Sequence, residues 1–140
     1  MWTTQHTATT DAPRAAVWAA LRAQLAGRAL GPGTDRFELH GPLAVGTDLS
    51  VTTQEGQTFA AQVVELVEGE VYADRALFDG LELTFRHVLR PTGAGTEVTY
   101  ALAIDGPGAD RAGPELGAQI AADFPVAVQA LIAAALDGVS

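Results

Sequence analysis

The chain has 140 residues and no cysteine, so it is read as one domain, residues 1–140, without disulfides, thiolate metal sites or thiol nucleophiles. Acidic residues outnumber basic ones 17 to 8, a formal charge of -9, which argues against nucleic acid and anionic membrane surfaces as partners. All eight basic residues are arginine, which excludes a P-loop lysine, a Schiff-base lysine and a lysine general base. Met1-Trp2-Thr3-Thr4-Gln5-His6 has neither a basic nor an apolar stretch, so no secretory signal is expected. No uninterrupted apolar run reaches the roughly 18 residues of a membrane span. The expectation is a soluble cytoplasmic protein without membrane insertion, monomeric or homodimeric.

The threonine-rich stretch Thr3–Thr10 reads as a strand. Asp11-Ala12-Pro13 follows, with Asp11 expected to cap a helix and Pro13 to open its first turn. From Arg14 to Leu25, Val17, Trp18, Leu21 and Leu25 recur at helical spacing, with Arg14 and Arg22 turned outward. Gly27, Gly31, Pro32 and Gly33 end that pattern. Six short segments separated by turn chemistry come next: Phe37–His40, Leu49–Thr53, Thr58–Val67, Val71–Phe78, Leu81–Arg90 and Thr96–Ile104. Their spacing predicts an antiparallel meander. Leu116, Ile120, Phe124, Ala127, Val128, Leu131 and Ala135 then form one apolar helical stripe, in which Pro125 should kink the helix. Strand, helix, six strands and long helix make an α+β layout with helices on one sheet face.

The turns allow register to be counted. If Asp79-Gly80 is a two-residue turn, Phe78 pairs with Leu81, Ala76 with Leu83, Asp74 with Phe85 and Tyr72 with His87. If Thr92–Gly95 is the next loop, Leu89 pairs with Val98, His87 with Tyr100, Phe85 with Leu102 and Leu83 with Ile104. Both registers collect the apolar residues on one face and set Tyr72, His87 and Tyr100 in one row across three strands about 4.8 Å apart. Such a row is an acid/base or ligand-orienting group at the end of an apolar cavity, or a core histidine satisfied by its tyrosine neighbours. Asp74 points to the same face and is expected at its open rim. A two-residue turn at Gly69-Glu70 would set Glu65 opposite Asp74. A three-residue turn, Glu68–Glu70, faces Val64 and Leu66 inward and leaves Glu65 in water, and it is favoured because two unpaired carboxylates in a core are costly.

Other chemistries find little support. His6, His40 and His87 fall on three strands outside any ligand motif, so no metal is expected, although adjacent strands would allow His6 to approach His40. There is no G-x-S-x-G elbow, and Gly31-Pro32-Gly33 and Gly93-Ala94-Gly95 are turn glycines rather than phosphate cradles. Trp18 and Phe124 read as core residues. The small Gly117 and Ala127 on the long helix would leave space over a curved sheet, so a cavity is expected there.

Several local motifs match one family. Asp11-Ala12-Pro13-Arg14-Ala15-Ala16-Val17-Trp18, Gly41-Pro42-Leu43-Ala44-Val45-Gly46-Thr47, Leu89-Arg90-Pro91-Thr92-Gly93-Ala94-Gly95-Thr96, Gly113-Pro114-Glu115-Leu116-Gly117 and Phe124-Pro125 together resemble the SRPBCC superfamily, the START-like helix-grip proteins that include polyketide cyclase/dehydrase-like members. The resemblance implies a seven-stranded antiparallel sheet curled around the C-terminal helix, with a pocket for lipids, sterols, aromatic polyketides or other apolar molecules. It carries no single catalytic signature and no cofactor. One departure is Ala8 and Thr10, where relatives often have branched apolar residues.

Three functions compete. The first is binding of a small apolar molecule, with His87, Tyr72 and Tyr100 orienting one polar group and Asp74, Phe85, Leu102, Phe124 and Ile120 completing the site. The second is a cyclase/dehydratase-type enzyme in which His87 takes a proton alpha to a carbonyl and Tyr72 or Tyr100 stabilises the enolate. The third is a protein-interaction module using the convex sheet face, where Arg75, Arg86 and Arg90 would form a basic stripe, or the loop from Gly27 to Asp35.

Overall fold

A computed structural model describes residues 1–138. The chain runs β1 (Trp2–Thr10), α1 (Arg14–Leu25), β2 (Arg36–Leu39), β3 (Asp48–Thr52), β4 (Thr58–Val67), β5 (Val71–Phe78), β6 (Leu81–Pro91), β7 (Thr96–Asp105), α2 (Ala109–Ala121) and α3 (Phe124–Leu136). The seven strands form one antiparallel sheet in the order β1-β7-β6-β5-β4-β3-β2. The meander reads straight from the turns. Asp79 and Gly80 have φ of 52° and 79°, the mirror-image turn whose twist suits a two-residue hairpin. Every pair counted from that turn and from the Thr92–Gly95 loop is present, including Tyr72 opposite His87 and His87 opposite Tyr100. β1 closes the far side by pairing with β7, which sets His6 opposite Tyr100.

The β4–β5 connection is the three-residue turn: Val67 pairs with Val71 and Leu66 with Tyr72. Glu65 faces outward and accepts two hydrogen bonds from the Arg86 guanidinium, at 2.8 and 3.2 Å. A bulge at Val64 then shifts the alternation, so Val63, rather than Val64, lies opposite Asp74 and is buried.

Three other expectations are corrected. Asp11 does not cap α1; Pro13 holds the N-cap position without a side-chain bond, and Ala12 N–H donates to Thr10 Oγ1. Pro125 does more than kink the last helix. It cannot donate a backbone bond, and the helix breaks at Ala122-Asp123 into α2 and α3, with Pro125 in the first turn of α3. Gly117 leaves no empty space: together with Gly113 it seats the Trp2 indole, which a Cβ at either position would overlap. Ala127 does leave room.

The core lies between the concave sheet face and the helices. Val17, Trp18 and Leu21 of α1 and Val128 and Leu131 of α3 pack with Leu89, Val98, Leu102 and Ile104 of the sheet. Within Ala109–Leu136 an 18-residue stretch is apolar enough by composition to cross a membrane. Here Phe124, Val128, Leu131, Ile132, Ala134 and Ala135 belong to the core. On the convex face Arg86 is paired with Glu65 and Arg90 with Glu97, while Arg75 donates to Thr84. The expected basic stripe is therefore largely neutralised.

Candidate functional site

The sheet curves away from α2 and α3 at its β2–β5 side and leaves a cavity of about 550 Å3. Its walls come from every layer: Phe37 and Val51 from the far strands, Phe85 from β6, Leu116 and Ile120 from α2, and Phe124 and Ala127 from α3. A volume of this size, mostly apolar with a few convergent polar groups, matches a small-molecule site.

The polar groups at its inner end are Asp74, His87 and Tyr100. Strand alternation aims all three into the concave face, because Asp74 is two residues from Tyr72, and Tyr72, His87 and Tyr100 occupy one row. His87 stands between the tyrosines, with its ring 5.4 Å from that of Tyr72 and 4.2 Å from that of Tyr100, the latter edge-on at 88°. Tyr100 in turn meets Phe124 edge-on at 6.2 Å, tying the sheet to α3. Tyr72 donates its hydroxyl to Asp74 Oδ2 at 2.7 Å. The tyrosines therefore do not both serve the histidine.

Burial sets the protonation of this group. His87 is 8% exposed, and its Nδ1 has no hydrogen-bond partner among the described residues. An orphaned buried nitrogen costs about 1–3 kcal/mol. Desolvation depresses the imidazole from 6.5 to about 4, against weaker support from the Tyr72 backbone, so His87 is neutral at physiological pH. Asp74 is 3% exposed, and burial raises its carboxyl to about 6; the Tyr72 hydroxyl pulls the other way, and no cation helps. Burial likewise raises both phenols, Tyr72 further because Asp74 is beside it.

Six of the eight residues expected at the site line the cavity: Asp74, Phe85, His87, Tyr100, Ile120 and Phe124. Tyr72 and Leu102 do not. Both are fully buried, Tyr72 behind Asp74 and Leu102 in the core. Asp74 is deep in the wall rather than at an open rim. His6 and His40 do not approach one another, for β1 and β2 are opposite edges of the sheet. Among the described residues no group of three or more His, Asp or Glu side chains is placed to hold a metal ion. The strand count missed the outer end of the cavity, where Asp35, Glu55 and Asp123 gather from three separate elements. Asp35 is half-buried, and its carboxyl is raised by desolvation first and then by the charges of Asp123 and Glu55. Only acidic residues in three unrelated loops signalled that cluster.

No protein-family model matches the chain, and no curated protein matches it. Solved structures do. The chain is similar to the Zhui aromatase/cyclase from Streptomyces sp. R1128, at 19% identity and a TM-score of 0.73, over 96% of this chain and 93% of that one. It is similar to a norcoclaurine synthase point mutant from Thalictrum flavum in complex with a transition-state analogue, at 15% identity and a TM-score of 0.71, over 99% and 96%. It is also similar to Ara h 8.0201, at 18% identity and a TM-score of 0.67, over 97% and 98%. At such identities the likeness concerns architecture. The chain has the helix-grip fold, an antiparallel seven-stranded sheet gripping its C-terminal helices, as its resemblance to SRPBCC proteins implied.

Proposed function

We propose that the chain binds a small, mostly apolar molecule in this cavity, with Asp74, His87 and Tyr100 orienting one polar group. The observation that carries the reading is an apolar cavity of about 550 Å3 with, at its inner end, a buried histidine whose Nδ1 has no partner among the described residues and a buried carboxylate without a countercharge. A core that merely needed stability would pair those groups or replace them with apolar side chains. Phe85, Ile120 and Phe124 hold the apolar body of the ligand. The apolar pocket that the resemblance to SRPBCC proteins implies agrees with this class.

The test is to fill the cavity. Ala127 is half-buried on the wall, and Ala127→Trp projects an indole into the space. A neutral apolar fluorophore such as N-phenyl-1-naphthylamine should bind the parent chain and lose at least tenfold in affinity with the variant. Circular dichroism of the variant should be unchanged. Undiminished binding by a folded Ala127→Trp would place the probe elsewhere and overturn the reading. Native mass spectrometry of the freshly purified chain then identifies any molecule carried through.

A second reading, acid/base catalysis in the same cavity, is favoured by one observation. A carboxyl held at about 6 is poised close to neutrality, which suits proton transfer. It moves the role expected of His87 to Asp74, since an imidazole at about 4 is a weak base. Deuterium uptake into the identified ligand, abolished by Asp74→Asn, would support it; equal uptake in the variant would exclude it.

A further inference from the structure

We infer that the ligand of this cavity is an organic cation, an amphiphile whose apolar body carries an ammonium or similarly charged group. The inference rests on the binding reading above and adds the charge of the ligand to it. It follows from how the protein distributes its own charges. On the outside, four glutamates are paired with arginines: Glu65 with Arg86, Glu68 with Arg22, Glu70 with Arg14 and Glu97 with Arg90. None of these pairs borders the cavity. Asp35, Glu55, Asp74 and Asp123 all line it, and none of the eight arginines does. Among the described residues none of these four carboxylates has an ion-pair partner.

Asp74 turns an acidic rim into a site. It is a carboxylate 3% exposed in the cavity wall, with one oxygen held by Tyr72 and no countercharge. A buried carboxylate without a cation is unfavourable when ionised, and a ligand cation beside it would supply what the chain omits. His87 does not compete for that role, because burial keeps it neutral. The rim reinforces the choice, since Asp35, Glu55 and Asp123 repel an approaching anion and attract a cation before it reaches Asp74. A metal ion is a poor fit, for the carboxylates are spread along the cavity instead of converging as ligands. Neighbouring opposite charge favours an ionised carboxylate by about one to three pKa units, and each unit is about tenfold in affinity for the cation.

The experiment uses the whole chain at neutral pH, with N-phenyl-1-naphthylamine displaced by three molecules sharing one tail: decylammonium, decanol and decanoate. Decylammonium should compete about tenfold better than decanol, and decanoate about tenfold worse. Asp74→Asn should remove most of the advantage of the cation over the alcohol, and Asp35→Asn with Asp123→Asn should remove a smaller part of it. The control, Glu82→Gln with Asp137→Asn, removes two exposed charges away from the cavity and should leave that advantage intact. If decanol or decanoate competes as well as decylammonium, the charge assignment falls while the cavity reading stands. An equal loss in both double variants would trace the preference to net charge alone and also overturn it. If the fluorophore binds no better to the parent than to Ala127→Trp, the cavity reading fails and takes this inference with it.

Discussion

Asp74→Asn isolates the cost of keeping a carboxylate inside the cavity wall. In the folded chain Asp74 titrates at about 6 against 3.8 for a free side chain, so the native state holds its proton more tightly than the unfolded state does. The stability it contributes is complete below 3.8 and is lost as pH rises through 6. The displacement amounts to about 3 kcal/mol above neutrality. Asparagine retains an oxygen for the Tyr72 hydroxyl and removes the charge, so the variant should be more stable than the parent by up to about 3 kcal/mol at pH 8. That gain should vanish near pH 4. His87 runs in the opposite sense: its folded value of about 4 lies below 6.5, so its contribution is present above 6.5 and is lost as pH falls toward and through 4. In the parent the two proton balances cancel, and together they leave stability nearly flat between pH 4 and 7. With asparagine at position 74 the histidine acts alone, and stability should decline by about 3 kcal/mol as the pH falls across that window. Urea unfolding followed by the fluorescence of Trp2 and Trp18 at five pH values measures this directly. Parent and variant curves that run parallel would refute the assignment, whichever protein is the more stable.

Three further outcomes are expected. Tyr72→Phe removes the donor to Asp74 Oδ2 and should destabilise the chain by about 1–3 kcal/mol at pH 8 in urea titrations, with a smaller loss at pH 4, where the carboxyl is protonated. Gly117→Val drives side-chain atoms into the Trp2 indole; overpacking of this kind costs about 1–3 kcal/mol, read as a lowered Tm by calorimetry. Arg86→Ala breaks the outward pair with Glu65 and should change unfolding free energy by less than about 1 kcal/mol, a difference that shrinks further in high salt.

The parts of the site legible in the sequence were those tied together by short turns. Asp79-Gly80 and Thr92–Gly95 each fix a register, and counting from them placed Tyr72, His87 and Tyr100 side by side. The bulge at Val64 was hidden because Val63 and Val64 are both apolar, so alternation there gives no phase. His6, opposite Tyr100 in the same row, escaped because β1 reaches β7 from the other end of the chain with no turn to count from. The acidic rim depends on loops and a helix junction whose positions follow from global packing, beyond any local pattern. Pro125 announced a disturbance, and the backbone bond it lacks explains the site of the break, but its completeness depends on what each half packs against. The Tyr72–Asp74 bond follows from alternation along one strand, since both residues face inward; treating Tyr72 as a partner of His87 concealed it.

The indole of Trp2 resting on Gly113 and Gly117 links the two extremes of the chain through shape alone. Among natural homologues of this protein, the three positions should therefore change as a set. A lineage that replaces Trp2 with a small side chain gains room for alanine or valine on α2, whereas one that keeps the tryptophan is confined to glycine at both helical positions. The helix propensity forfeited by two glycines, about 1 kcal/mol each, persists only as long as the ring does.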